Sequence, residues 1–544
     1  MFGKRPWKMA ACAAAISLLV AGCGDGDADD ASANANTIVI GIAEPAALLP
    51  TNVGDATGSQ VLKSLFYPLV DVNAQNQPVE VAAEAIRPDK TNRVWTIKLK
   101  PGFTFHNGEK VTAQSYVDAW NYGAYGPNAQ NSGYFFARIA GYAEMNPEDP
   151  DGKGPQKAPK PKVNKLSGLK VINELTFSVT LSAPFSGWKT VLAYSVFYPL
   201  PKAAFAKDGS IVKGFEEKII GNGPFKMKGQ WEHDDKIVVE KVADFKGQVP
   251  KIDGITWKVY QDQVAQYADL VSNNIDVQTD IPIESLSKAS ADLGDRYQTS
   301  SNSTIDFLGF PLYQPEYKNP DVRRAISMAI NREEITNQIF LGARLVSKSF
   351  VSPVVSGYRE NTCGESCDYN PSKARELYAA AGGPAEIKIT YNVDGGHQAW
   401  VDAVCNQIRA ILGVTCTGVQ ETKFAVLTAK ARAREPLGLM RMGWVMDYPL
   451  MENYLGPIYG IDGSSNFYGY ENAEFDELVA KGSEATTQAA AEKKWQEAED
   501  MLAEDMPVIP LFSRMNVFGY SEHVQNVEMD LFSNVNLYDI ETVA

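Results

Sequence analysis

Val-Arg-Arg-Ala-Ile-Ser-Met-Ala-Ile-Asn-Arg-Glu-Glu-Ile, residues 322–335, encodes a helix, a break and the start of a second helix. Val322, Ala325, Ile326, Ala329 and Ile330 fall on one stripe at helical spacing, which argues for a helix with a single buried face. Asn319-Pro320-Asp321 opens it, with Asp321 the expected N-cap, and Asn331 with Glu334 caps the helix that follows. Arg323 and Arg324 fall off the stripe and are expected in solvent.

Downstream, apolar stripes and short strands alternate. Ala374, Leu377, Tyr378 and Ala381 make a helix stopped at Gly382-Gly383, and Glu386–Tyr391 reads as a strand. Val401, Val404, Cys405, Ile408, Ile411 and Leu412 form a second stripe ending at Gly413, and Cys416 starts the next strand. Then comes Arg441-Met442-Gly443-Trp444-Val445-Met446-Asp447-Tyr448-Pro449. Asp447 sits among Trp444, Met446 and Tyr448, so its carboxylate is partly cut off from water and needs a cation. Two sources are open: an internal pair with Arg441 or a nearby lysine, or a ligand, in which case Arg441 and Asp447 hold opposite ends of a zwitterion. A charged, alanine-rich helical region runs from about Ala473 to Asp505.

Upstream, Thr37–Ile42 is a β-rich apolar run, expected as a buried strand, with Ala43-Glu44-Pro45 at its end, where α/β folds commonly place ligand contacts. Glu44 is therefore a second candidate carboxylate, beside the plainer reading of an exposed loop glutamate. Val94–Lys100 alternates strictly, with Trp95, Ile97 and Leu99 on one face. Pro101-Gly102 turns it into Phe103-Thr104-Phe105-His106-Asn107-Gly108-Glu109, and Thr112 caps a helix containing Tyr116, Ala119 and Trp120. His106 has no His, Cys or acidic partner at helical spacing and reads as a turn residue. Tyr134, Phe135 and Phe136 lie in a glycine-rich aromatic stretch that lines a cleft or packs a small domain. Residues 146–165, rich in Pro, Lys and Gly, read as an exposed loop. Gly221-Asn222-Gly223-Pro224-Phe225 lacks the length and lysine of a phosphate loop, which rejects nucleotide binding. Val264, Tyr267, Ala268 and Val271 recur at helical spacing.

The 544 residues exceed one core and divide into two or three domains. Residues 1–22 hold three basic and no acidic side chains, so the remainder carries 48 basic against 66 acidic, a net −18. That balance argues against nucleic acid as a partner. Lys4, Arg5 and Lys8 precede an uncharged run from Met9 to Gly22, too short to span a bilayer, which marks a signal peptide over residues 1–22. Val20-Ala21-Gly22-Cys23 resembles a bacterial lipobox, implying cleavage before Cys23 and lipidation of its sulfur, with residues 23–36 a flexible tether. The remaining Cys363, Cys367, Cys405 and Cys416 would then face an oxidising compartment. Proximity favours the pairs Cys363–Cys367 and Cys405–Cys416 over a zinc site, since no histidine lies at ligand spacing. His-Glu-x-x-His and Gly-x-Ser-x-Gly are absent and there are four histidines, so no enzyme, cofactor or metal is expected.

Residues 322–335, the 441–449 stretch, the block from Trp95 to Trp120, the Gly221–Phe225 turn, Asn274-Ile275-Asp276-Val277 and Pro507–Phe512 resemble, in order, segments of the peptide-binding lipoproteins of bacterial ABC importers (solute-binding protein family 5). The resemblance spans about residues 37–540. It implies an α/β, two-lobed periplasmic-binding-protein-like fold of type II, in the large three-domain cluster, with lobes joined by a hinge. Domain I would comprise residues 37–75, 199–300 and 516–544, domain II residues 76–198, and domain III residues 301–515. Asp447 would take a peptide's α-ammonium and Trp444 shape a side-chain pocket. Arg441 would meet the ligand carboxylate and Gly443 admit the peptide backbone. Tyr448, Glu44 and Tyr134 would be further cleft contacts. Pro449-Leu450-Met451-Glu452-Asn453 departs from the acidic-proline continuation of relatives, which puts pocket shape in question. Implied partners are a peptide, the ABC permease and ATPase subunits and, through the lipid, the outer face of the cell membrane, with the chain a monomer. The same fold in relatives binds sugars, opines or nickel complexes, or serves as a peptide-signal receptor, and both remain alternatives.

Overall fold

The structure, a computed structural model, describes residues 36–73, 76–147 and 158–543, with Asp394 in backbone only. The signal peptide, the lipobox with Cys23 and the tether up to residue 35 lie outside the described residues, as do residues 148–157 of the expected exposed loop.

A sheet of eleven strands is the frame. Its order is Thr415–Glu421, Glu386–Asn392, Leu439–Trp444, Tyr297–Gly309, Val508–Tyr520, Val277–Gln278, Thr37–Ile42, Gly254–Val259, Lys236–Lys241 and Phe225–Met227, with Arg344–Val346 also paired to Val508–Tyr520. Among the described residues, parallel neighbours in this sheet occur only toward the two ends, around Thr37–Ile42 and around Glu386–Asn392. Between them run two antiparallel strands of 13 residues each, Tyr297–Gly309 and Val508–Tyr520, which serve both halves. Their pairing slips between Ser301 and Ile305, so the halves meet at an irregular joint. A separate four-stranded antiparallel sheet, Ala83–Pro88, Val94–Leu99, Thr176–Thr180 and Leu169–Asn173, packs with the Ala113–Ala124 helix. This is the mixed α/β, two-lobed fold.

Alternation and stripe explain most elements. Trp95, Ile97 and Leu99 are buried while Thr96 and Lys98 face out. Thr112 opens the Ala113–Ala124 helix, its N–H donating to Ser115 Oγ at 3.2 Å. Gly382 and Gly413 close their helices at φ 67° and 71°, a left-handed conformation that glycine adopts at little cost. The region from Ala473 to Asp505 is two helices, Ala473–Glu484 and Gln488–Asp505, capped afresh by Thr487. Both expected disulfides form, Cys363–Cys367 and Cys405–Cys416, the second tying the Gln398–Leu412 helix to the Thr415–Glu421 strand.

Three details depart from the sequence reading. Asn319, not Asp321, caps the Pro320–Met328 helix, its side chain accepting from Asp321 N at 3.0 Å. Proline at N1 has no N–H to give, so the cap falls one residue before it. Arg323 is buried rather than solvated. Its guanidinium donates to the carbonyls of Tyr317, Lys318, Asp505 and Met506, stitching two chain segments together. On the Gln263–Val271 helix, Val264 and Val271 are exposed and the buried face is Gln266, Tyr267 and Leu270. His106 is the turn residue expected and also an internal tie: Nδ1 accepts from Gly221 N, and Nε2 lies 3.2 Å from Gly223 O. Burial pushes its pKa down to about 4, which keeps the ring neutral in that role.

Candidate ligand-binding site

The Leu439–Trp444 strand sends Met440 and Met442 into the core and turns Arg441 and Gly443 the other way. Gly443 pairs in register with Asp306, and a Cβ there would lie 2.9 Å from Ile305 O and 3.0 Å from Asp306 Oδ1. The glycine therefore makes room for a neighbouring strand of its own chain. Asp306 is buried with three guanidiniums on it. Arg441 Nη2 lies at 3.1 Å, Arg514 Nη2 and Nε at 2.8 and 2.9 Å, and Arg344 Nη1 at 3.1 Å. Burial works to raise its pKa, but Arg344, Arg514 and Arg441 together hold it well below the usual carboxylate range. Arg441 is thus committed to Asp306, not to Asp447. His397 lies near this cluster. Its Nδ1 faces the Trp400 indole N–H at 3.1 Å, and burial, with Arg441, Arg514 and Arg344 nearby, pushes its pKa down to about 2.

Past the strand the chain turns through Asp447 into the Glu452–Tyr459 helix, and Asn453 holds that turn closed. Asn453 Oδ1 accepts from Asp447 N at 2.7 Å and from Trp444 Nε1 at 3.2 Å, while its Nδ2 donates to Asp447 Oδ2 at 3.0 Å. No ion pair reaches Asp447 among the described residues. Burial pushes its pKa up to about 7, the Asn453 hydrogen bond pulls it down, and the charge of Glu452 pushes it up further. Tyr448 is buried and donates its hydroxyl to Glu452 Oε2 at 2.7 Å, which makes it a support for the site's wall.

Asp447 opens onto a cavity of about 410 Å³. One wall is Asp447, Tyr448, Glu452 and Asn453, continuing through Gly456 to Asp476; the other is Tyr134, Phe135, Arg138 and Val191. The second wall belongs with the four-stranded sheet, for Arg138 O accepts from Ser182 N, just beyond the Thr176–Thr180 strand. Tyr134 stacks on Phe135 at 4.6 Å and is 50% exposed, yet burial and then Asp447 raise its hydroxyl pKa. Exposure combined with surrounding protein describes a ring facing an internal hollow. Glu44 is elsewhere, on His233 Nδ1 at 2.8 Å and Asp234 N at 3.2 Å.

Of the residues singled out from sequence, Asp447, Tyr134 and Tyr448 come together at the cavity and Trp444 touches it through Asn453. Arg441 and Gly443 face Asp306, and Glu44 is apart. Sequence reasoning missed Asp306, Arg138, Glu452 and Asn453 as working residues. The last two sit in the segment already marked by its departure from the expected pattern.

A two-lobed, mixed α/β fold that carries such a cavity is the architecture of a solute-binding protein. The profile of the bacterial extracellular solute-binding proteins, family 5 Middle, matches residues 77–466, and the chain belongs to that family. It is 24% identical over 506 residues to the oligopeptide-binding protein OppA of Bacillus subtilis (strain 168), covering 89% of each chain. To the periplasmic oligopeptide-binding protein OppA of Escherichia coli (strain K12) it is 25% identical over 488 residues, covering 87% of this chain and 86% of that one. The solved structure of Haemophilus influenzae OppA in complex with the peptide RPPGFSPFR superposes with TM-score 0.75 at 20% identity, over 94% of this chain and 99% of that one. Among the described residues no helix is long and apolar enough to cross a membrane.

Proposed function

We propose that this protein captures peptides in the hollow between its lobes and delivers them to a membrane ABC permease, tethered outside the cell membrane by lipid on Cys23. The reading rests on one observation above all: Asp447 is a largely enclosed carboxylate that opens onto a cavity and, among the described residues, has no ion-pair partner. Such a group is held against its solvation preference unless a positive ligand arrives, and a free amino terminus supplies that charge. Tyr134 faces the first side chains, and Trp444 fixes Asn453, which fixes Asp447. The domain division proposed is 37–75, 199–300 and 516–544, then 76–198, then 301–515; what supports it is that the four-stranded sheet falls within residues 76–198.

Asp447→Ala is expected to weaken binding of a free-amine peptide by about 3 kcal/mol or more, because the ammonium would be enclosed without its partner. Titration calorimetry on both proteins measures this, and N-acetylation of the peptide is expected to act on the wild type to a similar extent. Equal affinities in either comparison remove Asp447 from the ligand.

A further inference from the structure

Arg138 closes the cavity from the side opposite Asp447. It ends the Gly133–Arg138 turn, lies with its guanidinium carbon 4.1 Å from the Phe185 ring centroid, and places Nη2 2.5 Å from Glu452 Oε1. The two partners are 314 residues apart and stand on opposite walls of the cavity. Glu452 is 6% exposed, with its second oxygen occupied by Tyr448. Lesser contacts cross the same gap: Ser186 N reaches Ser483 O at 3.3 Å, and Gly187 lies against Leu450.

We propose that Arg138 is a positioning residue for ligand capture: by closing on Glu452 across the gap it cancels a second carboxylate in the cavity and leaves Asp447 to take the ligand's ammonium. The inference rests on the Asp447 reading above. Glu452 is one residue from Asn453, which holds Asp447, and its charge acts on Asp447. With Arg138 in place that charge is offset in part inside the wall; without it, Asp447 would face the full buried like charge and keep its proton to higher pH. Closing the lobes and readying the anchor are then one event. The other titratable groups that face Asp447 are Tyr134, Tyr194, Tyr448 and Tyr454, whose hydroxyl pKa values are all raised by burial first, with Asp447 contributing, so they stay neutral. Farther along the rim stand Asp462 and Asp476.

The test is the pH profile of affinity for a free-amine tripeptide, by calorimetry from pH 5.5 to 8.5, on the full chain and four variants. In the wild type, affinity is expected to climb with a midpoint of about 7, where Asp447 ionises, and to fall again above about pH 8 as the peptide's own amine loses its proton. Arg138→Gln is expected to raise the midpoint by roughly one unit and so weaken binding about tenfold at pH 6. Glu452→Gln, which leaves the guanidinium uncancelled, is expected to lower it, and the double variant to restore it. A purely structural contact would weaken binding without moving the midpoint in opposite directions. The proposal is overturned if folded Arg138→Gln keeps the wild-type midpoint. Should that variant not fold, a Glu452→Gln midpoint equal to or above the wild type overturns it equally. If the wild type lacks the midpoint, or Asp447→Asn retains it, the Asp447 reading itself fails. If Asp447→Asn abolishes it but the other variants leave it in place, only the role of Arg138 fails.

Discussion

Asp447 holds its proton to about pH 7, against about 3.8 for the same group in an unfolded chain. Between those values the folded protein binds more protons than the unfolded one, so stability falls as pH rises through that window and is level above it. The span corresponds to about 4 kcal/mol at most, less whatever water in the cavity screens. Asp447→Asn is therefore expected to gain on the wild type as pH climbs from 4 to 8, and a saturating free-amine peptide is expected to erase the difference. Urea denaturation across that range checks it; a gap between the two proteins that ignores pH counts against an enclosed carboxyl. This enclosure was legible in the sequence because the residues that cause it, Trp444, Met446 and Tyr448, are neighbours along the chain. The fate of Arg441 was not, since its partner Asp306 is 135 residues away and nothing local marks it.

Asp306 sits where four strands meet, taking guanidiniums from Leu439–Trp444, Arg344–Val346 and Val508–Tyr520 while itself in Tyr297–Gly309. Asp306→Asn would keep the shape and leave three cations around a neutral amide. The expected loss is about 3–5 kcal/mol, read as a lower urea midpoint, with the damage in the frame of the sheet. Disulfides act at the same scale. Cys405–Cys416 closes a longer loop than Cys363–Cys367, with separations of 11 and 4 residues. On loop-closure entropy alone, removing the first bridge by a Cys405→Ser/Cys416→Ser pair costs about 3 kcal/mol and the second about 2 kcal/mol, so thermal unfolding of the two double variants should rank them in that order. Elements made of near neighbours, the cystine bridges and the alternating Val94–Leu99 strand, could be read from the chain. Arg323 could not: being off the apolar stripe normally means solvent, but the carbonyls of Asp505 and Met506, 182 and 183 residues on, supply the partners that make burial tolerable.

For the whole molecule, the order of strands and helices was legible because each carries its own periodicity, whereas the joint between the lobes carries none. The two long strands slip register between Ser301 and Ile305, opposite Ser513–Met515, and we take this irregularity as the joint. Asn302, Ser303 and Thr304 are buried there without regular ladder partners, and side chains stand in for the ladder. Asn302 Nδ2 donates to Asn516 Oδ1 at 2.8 Å and Ser533 Oγ at 2.7 Å, and Asn516 Nδ2 is within 3.0 Å of Ser300 Oγ, Ser301 O and Asp530 O. A joint built from side-chain bonds can bend without breaking the strands on either side, which is what a hinge between crossing strands requires. Asn516→Ala would strip the Ser301 and Asp530 carbonyls of that donor and cost about 1–3 kcal/mol. Hydrogen exchange is expected to quicken over residues 297–305 and 513–520, while the paired strands Thr37–Ile42 and Gly254–Val259 exchange as before. Adding peptide should slow the quickened segment, because a ligand gripped by both walls draws the lobes together and holds the joint in one shape. If exchange rises evenly across the sheet instead, Asn516 braces the frame as a whole and the bend lies elsewhere.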